Sequence, residues 1–353
     1  MTTLYKKYPL AILASLIGLA IIAVIDLLFY PENFLDSLPQ FSPFYLIRSV
    51  AIAIACILFL LGFINHQKPQ INLVEYPNVL LSKFSLAGVL FVGLSFLAAF
   101  LFKPGGFNIL SDEDNVIEWG SAIFHFGAAI VFIIILAKLI FHKAPVNFPK
   151  FTKLSLGLLV IGFFVMGMEE VSWFQRVADI PTPDVFAGNI QNEMNLHNFA
   201  SDTIEIIYYS AAFVFFVLLP YLNLLVPAIQ NNDYLNLFLP RPYIAVMGTL
   251  FCAYNFDMWN MMAMQVCFWS SLIILFLLAK FSINNGEKYV IYFAIVLVCL
   301  SQLLFLIKGE ETFARLWEIT EYKEFLIPLV ALIYSLDKLK LFQVRSLSML
   351  RTD

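Results

Sequence analysis

Residues 9–29, PLAILASLIGLAIIAVIDLLF, hold one charged side chain, Asp26, in a run long enough to span a bilayer. A helix needs roughly 20 predominantly apolar residues to cross a hydrocarbon layer of ~30 Å. The run follows Lys6 and Lys7 as a signal sequence would, but no small-residue cleavage site interrupts it, so a retained first span is expected. Outward from this stretch, similar runs lie near residues 44–65, 83–102, 119–137, 154–170, 203–228, 243–256, 259–280, 289–307 and 318–337. The fold class expected is therefore all-α: a polytopic transmembrane helical bundle of about ten spans.

Composition agrees, since 61% of the 353 residues are apolar and 13% charged, where soluble domains run near a quarter charged. No Gly/Ser linker or low-complexity tract divides the chain, so residues 1–353 read as a single integral membrane domain. Cys56, Cys252, Cys267 and Cys299 all fall inside apolar runs without CxxC spacing, which predicts free thiols. There is no Walker loop, GxGxxG or GxSxG, and no nucleic-acid patch.

Lys and Arg favour cytoplasmic loops. With both termini cytoplasmic, 15 of the 21 basic residues fall inside, while 19 of the 25 acids fall outside with six basic residues. The least determined stretch is 241–281, which reads either as one span with a re-entrant piece or as two short helices broken near Asn255 and Asp257. Two crossings keep Lys280, Lys288 and the basic tail inside, and are preferred. Trp119, Trp173, Trp259 and Trp317 then fall at the outer rim, where amphipathic rings settle.

Span lengths decide which outer acids enter the membrane. Lys153 and Glu169 bracket 15 residues, only ~22 Å of helix, so Glu169 and Glu170 are expected below the outer surface. The last apolar stretch, 325–336, is too short to cross, which draws Glu318, Glu321 and Glu324 to membrane depth. His125 lies about two turns inside the outer end of the fourth span, where Glu118 marks the rim. Ionisable groups at such depth normally face a bundle interior or a wet cavity. A shared polar cavity between the fourth, fifth, sixth and tenth spans follows.

The connection 171–202 is broken by Pro181 and Pro183 yet keeps an apolar face, the pattern of an extracytoplasmic interfacial or re-entrant segment. It ends in Glu193 and His197, whose i, i+4 spacing puts them on one helix face, with Ser201 and Glu205 continuing the stripe. Carboxylate and imidazole so spaced can ligate a divalent metal, with Glu170, Glu193, His197 and His125 as the donor set. Hydrogen bonds capping a helix end, or proton or substrate binding without a metal, are the other readings of the same pair. For Glu169 and Glu170 the structural alternative is an ion pair with Arg176.

MEEVSWFQR (168–176), the PTP turn (181–183) and NEMNLHNF (192–199) resemble the signature EExSWxQR followed by NLHN of a family of uncharacterised bacterial polytopic membrane proteins. Phe174 stands where that pattern carries Gly, a departure that alters local backbone freedom. The resemblance implies a bacterial inner-membrane location and treats Glu169, Glu170, Gln175, Arg176 and His197 as a unit. It implies no activity.

The leading expectation is an enzyme acting from the outer face on a lipid or lipid-linked substrate by hydrolysis or group transfer. Glu169, Glu170, Glu193 and His197 would be catalytic, with Arg176, Gln175, Glu118, Glu318 and Glu321 contacting substrate. A proton- or cation-coupled transporter and a non-catalytic assembly subunit are the competing expectations.

Overall fold

The computed structural model describes residues 7–34, 38–64, 69–74, 77–141, 148–186, 188–189 and 193–349. Every predicted apolar run contains a helix: α1 Lys7–Phe29, α2 Pro43–Leu61, α3 Val79–Phe102, α4 Val116–Phe141 and α5 Thr152–Glu170. The second half supplies α6 Ser201–Asn223, α7 Pro242–Phe251, α8 Met262–Phe281, α9 Asn285–Thr312 and α10 Glu318–Met349. No strand forms among the described residues; the single parallel bridge joins Ile71 to Ser282.

Among the described residues, eight helices, α1 to α6 with α8 and α9, are long and apolar enough to cross a membrane. The chain is a multi-pass, all-helical membrane protein. The other two differ for physical reasons: α7 has 10 residues, ~15 Å of helix, and α10 carries buried charge on both sides of its apolar stretch 325–336.

Boundaries depart from expectation where side chains take over backbone hydrogen bonding. The seventh run was expected to reach residue 256, yet α7 stops at Phe251. Asn255 Nδ2 donates to the Cys252 carbonyl at 2.7 Å, and the Gln302 amide donates to the Asn255 carbonyl. Those acceptors are thereby lost to any continuing helix. Residues 252–261 form an irregular link that is buried throughout, and such backbone is tolerated at membrane depth only inside protein or against a wet cavity.

The sixth run, expected to 228, ends at Asn223, and Pro227 opens a separate short helix. Within α6, residues Val214–Leu218 widen into a π turn just before Pro220. Proline lacks an N–H and crowds the carbonyl four residues back, and a wider turn accommodates both effects.

Helix α4 is the hub at the acidic end, packed along α5 on one side and α10 on the other. Two glycines allow the approach. A Cβ at Gly167 of α5 would lie 2.8 Å from the Phe126 ring and 3.2 Å from His125 Cβ, and one at Gly120 would collide with Phe325. Pro328 sits inside α10 and frees the Glu324 carbonyl, which accepts from Ser121 Oγ of α4 at 3.1 Å. The proline defect thus becomes a tie between helices. At the far edge, Asp26 of α1 and Arg48 of α2 form a buried ion pair, extended by Asn33 and Tyr45. All four cysteines are free.

Candidate acidic cleft

At the end of the bundle where α4, α5 and α10 meet, Glu113, Glu118, Glu169, Glu170, Glu193, Glu321 and Glu324 line one cleft of ≈ 60 Å³ with Arg176 and Asn195. Among the described side chains, seven carboxylates face one guanidinium. Of the four helices expected to share a polar cavity, α4, α5 and α10 line this cleft and α6 supplies no lining residue, while the 171–202 connection contributes Arg176, Glu193 and Asn195.

The local backbone explains how that connection reaches the cleft. Ser172, Trp173 and Phe174 all adopt left-handed conformations, with φ of 44°, 55° and 59°. They make a tight turn closed by Phe174 N–H to the Val171 carbonyl at 2.8 Å and Gln175 N–H to the Ser172 carbonyl at 3.0 Å. This reversal puts Ser172 Oγ on Glu193 Oε2 and Trp173 Nε1 on Glu169 Oε1 at 2.7 Å. Left-handed geometry is costly for residues with a Cβ and tends to persist at functional sites. Position 174 is the one where the resembled signature carries Gly.

Arg176 does not pair with Glu169 or Glu170, contrary to the structural alternative above. It contacts Glu193, and reaches Glu113 and Asp114 at 3.0 Å each. Glu113 and Asp114, in the loop before α4, close this network. Asp112 pairs with Arg315 at 3.5 Å.

Glu169 accepts from the Leu196 N–H at 2.6 Å as well as from Trp173, so it fastens both ends of the connection to α5. Glu170 points inward: its Oε1 lies 4.0 Å from Nε2 of His125, which is 1% exposed and 3.4 Å from the Tyr208 hydroxyl of α6. Glu118 accepts from the Asp114 N–H at the cleft rim.

The i, i+4 argument for Glu193 and His197 fails, because residues 193–196 are not helical and α6 begins only at Ser201. Asn189 takes both the N–H and the carbonyl of Glu193, while Gln175 Oε1 accepts from Met194 N–H at 2.6 Å. Side chains thus satisfy the donors that a helix would use. Gln175, also bonded to Thr182 at 2.7 Å, holds the connection together and does not line the cleft. The His197 side chain lies outside the described ones.

For the metal set, Glu193 is already engaged by Arg176, Ser172 and Asn195. No three His, Cys, Asp or Glu side chains among the described residues come together in a way that could hold a metal ion. Glu318 is also displaced from its expected role. It is fully buried outside the cleft and accepts from the Ala314 N–H at 3.0 Å, 3.7 Å from Arg315, at the start of α10.

The structure adds residues that sequence reasoning did not select. Tyr209 of α6 donates to Glu324 Oε1 at 2.7 Å and lies 3.4 Å from Glu205. Over its ring, 4.2 Å from the centroid, sits the Lys323 ammonium. Lys323 is 1% exposed and donates to Asn255 Oδ1 of the irregular link, with the buried Asp257 as an electrostatic neighbour. The one available signal was the short apolar stretch beginning at Phe325, which draws Lys323 inward along with the glutamates. No family model, curated protein or solved structure matches this chain, so its function is read from the chemistry of the cleft.

Proposed function

We propose that the chain crosses a bacterial inner membrane ten times with both termini cytoplasmic, and that the cleft is the extracytoplasmic loading site of a proton-coupled transporter. The topology rests on eight long apolar helices, on completion of the α7 crossing by the buried link 252–261, and on the charge asymmetry of the loops.

The observation that carries the transport reading is the charge balance of the cleft, seven carboxylates against one arginine that is itself engaged by Glu193 and Glu113. Excess negative charge facing the outside draws protons. From Glu324 the polar contacts continue through Tyr209 toward Lys323 and the broken α7–α8 connection. Helix breaks beside buried charge are the usual setting of coupling sites in carriers.

A proton-loading site gives a transient charge displacement when outside pH is stepped, even without cargo. Liposomes bearing the purified protein on a solid-supported membrane should show this current. Glu324→Gln and Glu170→Gln should each reduce it several-fold. A current absent from wild type, or equal in the double variant, refutes the reading.

A second reading, an enzyme acting on a lipid or lipid-linked substrate, is favoured by the Glu170, His125 and Tyr208 grouping, an acid-base arrangement at membrane depth. Its intended anchor for an anionic headgroup is weakened, since Arg176 already serves three carboxylates.

A further inference from the structure

Away from the acidic cleft, a larger pocket of ≈ 540 Å³ opens between the first turns of α3 and α9. This falls within the ~300–1,000 Å³ of typical ligand sites. It is graded from polar to apolar. Asn72, Lys83, Asn284 and Glu287 occupy one end, while Leu86, Leu90 and Val290 line the other. From Lys83 to Leu90 the wall of α3 descends ~10 Å along the helix axis.

The polar rim is built rather than incidental. Ile71 bridges to the α8–α9 turn through its N–H to the Phe281 carbonyl and its carbonyl to the Ile283 N–H, both at 3.1 Å. Glu287 then fixes the following residues, accepting from Leu73 N–H at 2.8 Å, Val74 N–H at 3.1 Å and Ser282 Oγ at 3.0 Å. Three of a carboxylate's roughly four acceptor positions are thus taken, and Glu287 lines the pocket. Lys83 is exposed and has no ion pair among the described residues.

We propose that this pocket seats one phospholipid with a primary-amine headgroup, its phosphate on Lys83, its ammonium on Glu287 and an acyl chain along Leu86, Leu90 and Val290. One exposed cation and one buried carboxylate in the pocket wall match a zwitterion, and the apolar end matches hydrocarbon. A trimethylated headgroup lacks the N–H donor for Glu287, and a glycerol headgroup lacks the charge.

The proposal is independent of the cleft and its function. The full-length protein, reconstituted in equal parts phosphatidylethanolamine, phosphatidylcholine and phosphatidylglycerol and released for native mass spectrometry, should retain one phosphatidylethanolamine. Preference over each of the others should be roughly tenfold, as one charge-assisted hydrogen bond supplies. Ala87→Trp, at an exposed position in the pocket wall, should abolish retention with the fold intact, and Lys83→Ala should weaken binding of all three lipids. Equal retention of the three, preference for phosphatidylglycerol, or an undiminished adduct in Ala87→Trp would overturn the assignment.

Discussion

Position 174 allows the left-handed turn to be tested with two substitutions. Phe174 has φ of 59° and packs near Phe126, centroids 6.3 Å apart and planes at 10°, and near Trp119 at 6.4 Å. Both Phe174→Ala and Phe174→Gly remove these contacts, each worth ~0.5–1.5 kcal/mol. The difference between the two variants therefore isolates the backbone. A residue with a Cβ pays ~1–2 kcal/mol in the left-handed region, whereas glycine loses ~0.5–1 kcal/mol more backbone entropy on folding than alanine. Glycine should win by about 0.5–1 kcal/mol, opposite in sign to the order in a right-handed helix, where it trails alanine by ~1 kcal/mol. Equilibrium unfolding by titration of SDS into detergent micelles, followed by tryptophan fluorescence, can resolve this order. An alanine variant as stable as the glycine variant, or more so, would refute the left-handed turn.

Three further outcomes are expected. Arg48→Ala strands Asp26 in the buried α1–α2 contact and should cost ~3–5 kcal/mol in the same titration, with much of the loss recovered on adding Asp26→Asn. Gly167→Ala drives a methyl to within 2.8 Å of Phe126 and 3.2 Å of His125 Cβ; overpacking of this kind costs ~1–3 kcal/mol, and proton-loading currents should fall because α5 carries Glu170 away from His125. A reporter fused after Asp112 should read extracytoplasmic, and a cytoplasmic signal would reverse the proposed orientation.

Much of the bundle was legible because apolar length is a one-dimensional property: a run such as 9–29 needs no partner to declare itself. That Glu170 and Glu321 share a cleft accords with the same kind of reading, from spans too short to cross without them. What failed depended on contacts between distant residues. Arg176 finds Glu113, 63 positions away, and no local pattern favours that partner over the adjacent Glu169 and Glu170. The spacing of Glu193 and His197 was read as helical because nothing local reveals that Asn189 and Gln175 take the backbone donors. The short apolar stretch draws Lys323 inward, but nothing local marks its partner Asn255, 68 residues away.

Helix α10 holds buried charge on both sides of its apolar stretch 325–336. Lys323 meets Asn255 at one, and Asp337 meets Arg241, Tyr243 and Asn78 at the other, beside Lys338 on the Leu239 carbonyl. A slide or twist of one residue, about 100° of rotation, would unseat both sets together, and each broken buried pair costs ~3–5 kcal/mol. In mechanical terms α10 is a bolt thrown at both ends. Under the transport reading, the wall of the cleft expected to move is α5, where only Thr152, Leu156 and Gly167 are buried, since α4 is packed along α10. In the proposed transport cycle α10 is the stator, and the rotor is the helix that carries Glu169 and Glu170.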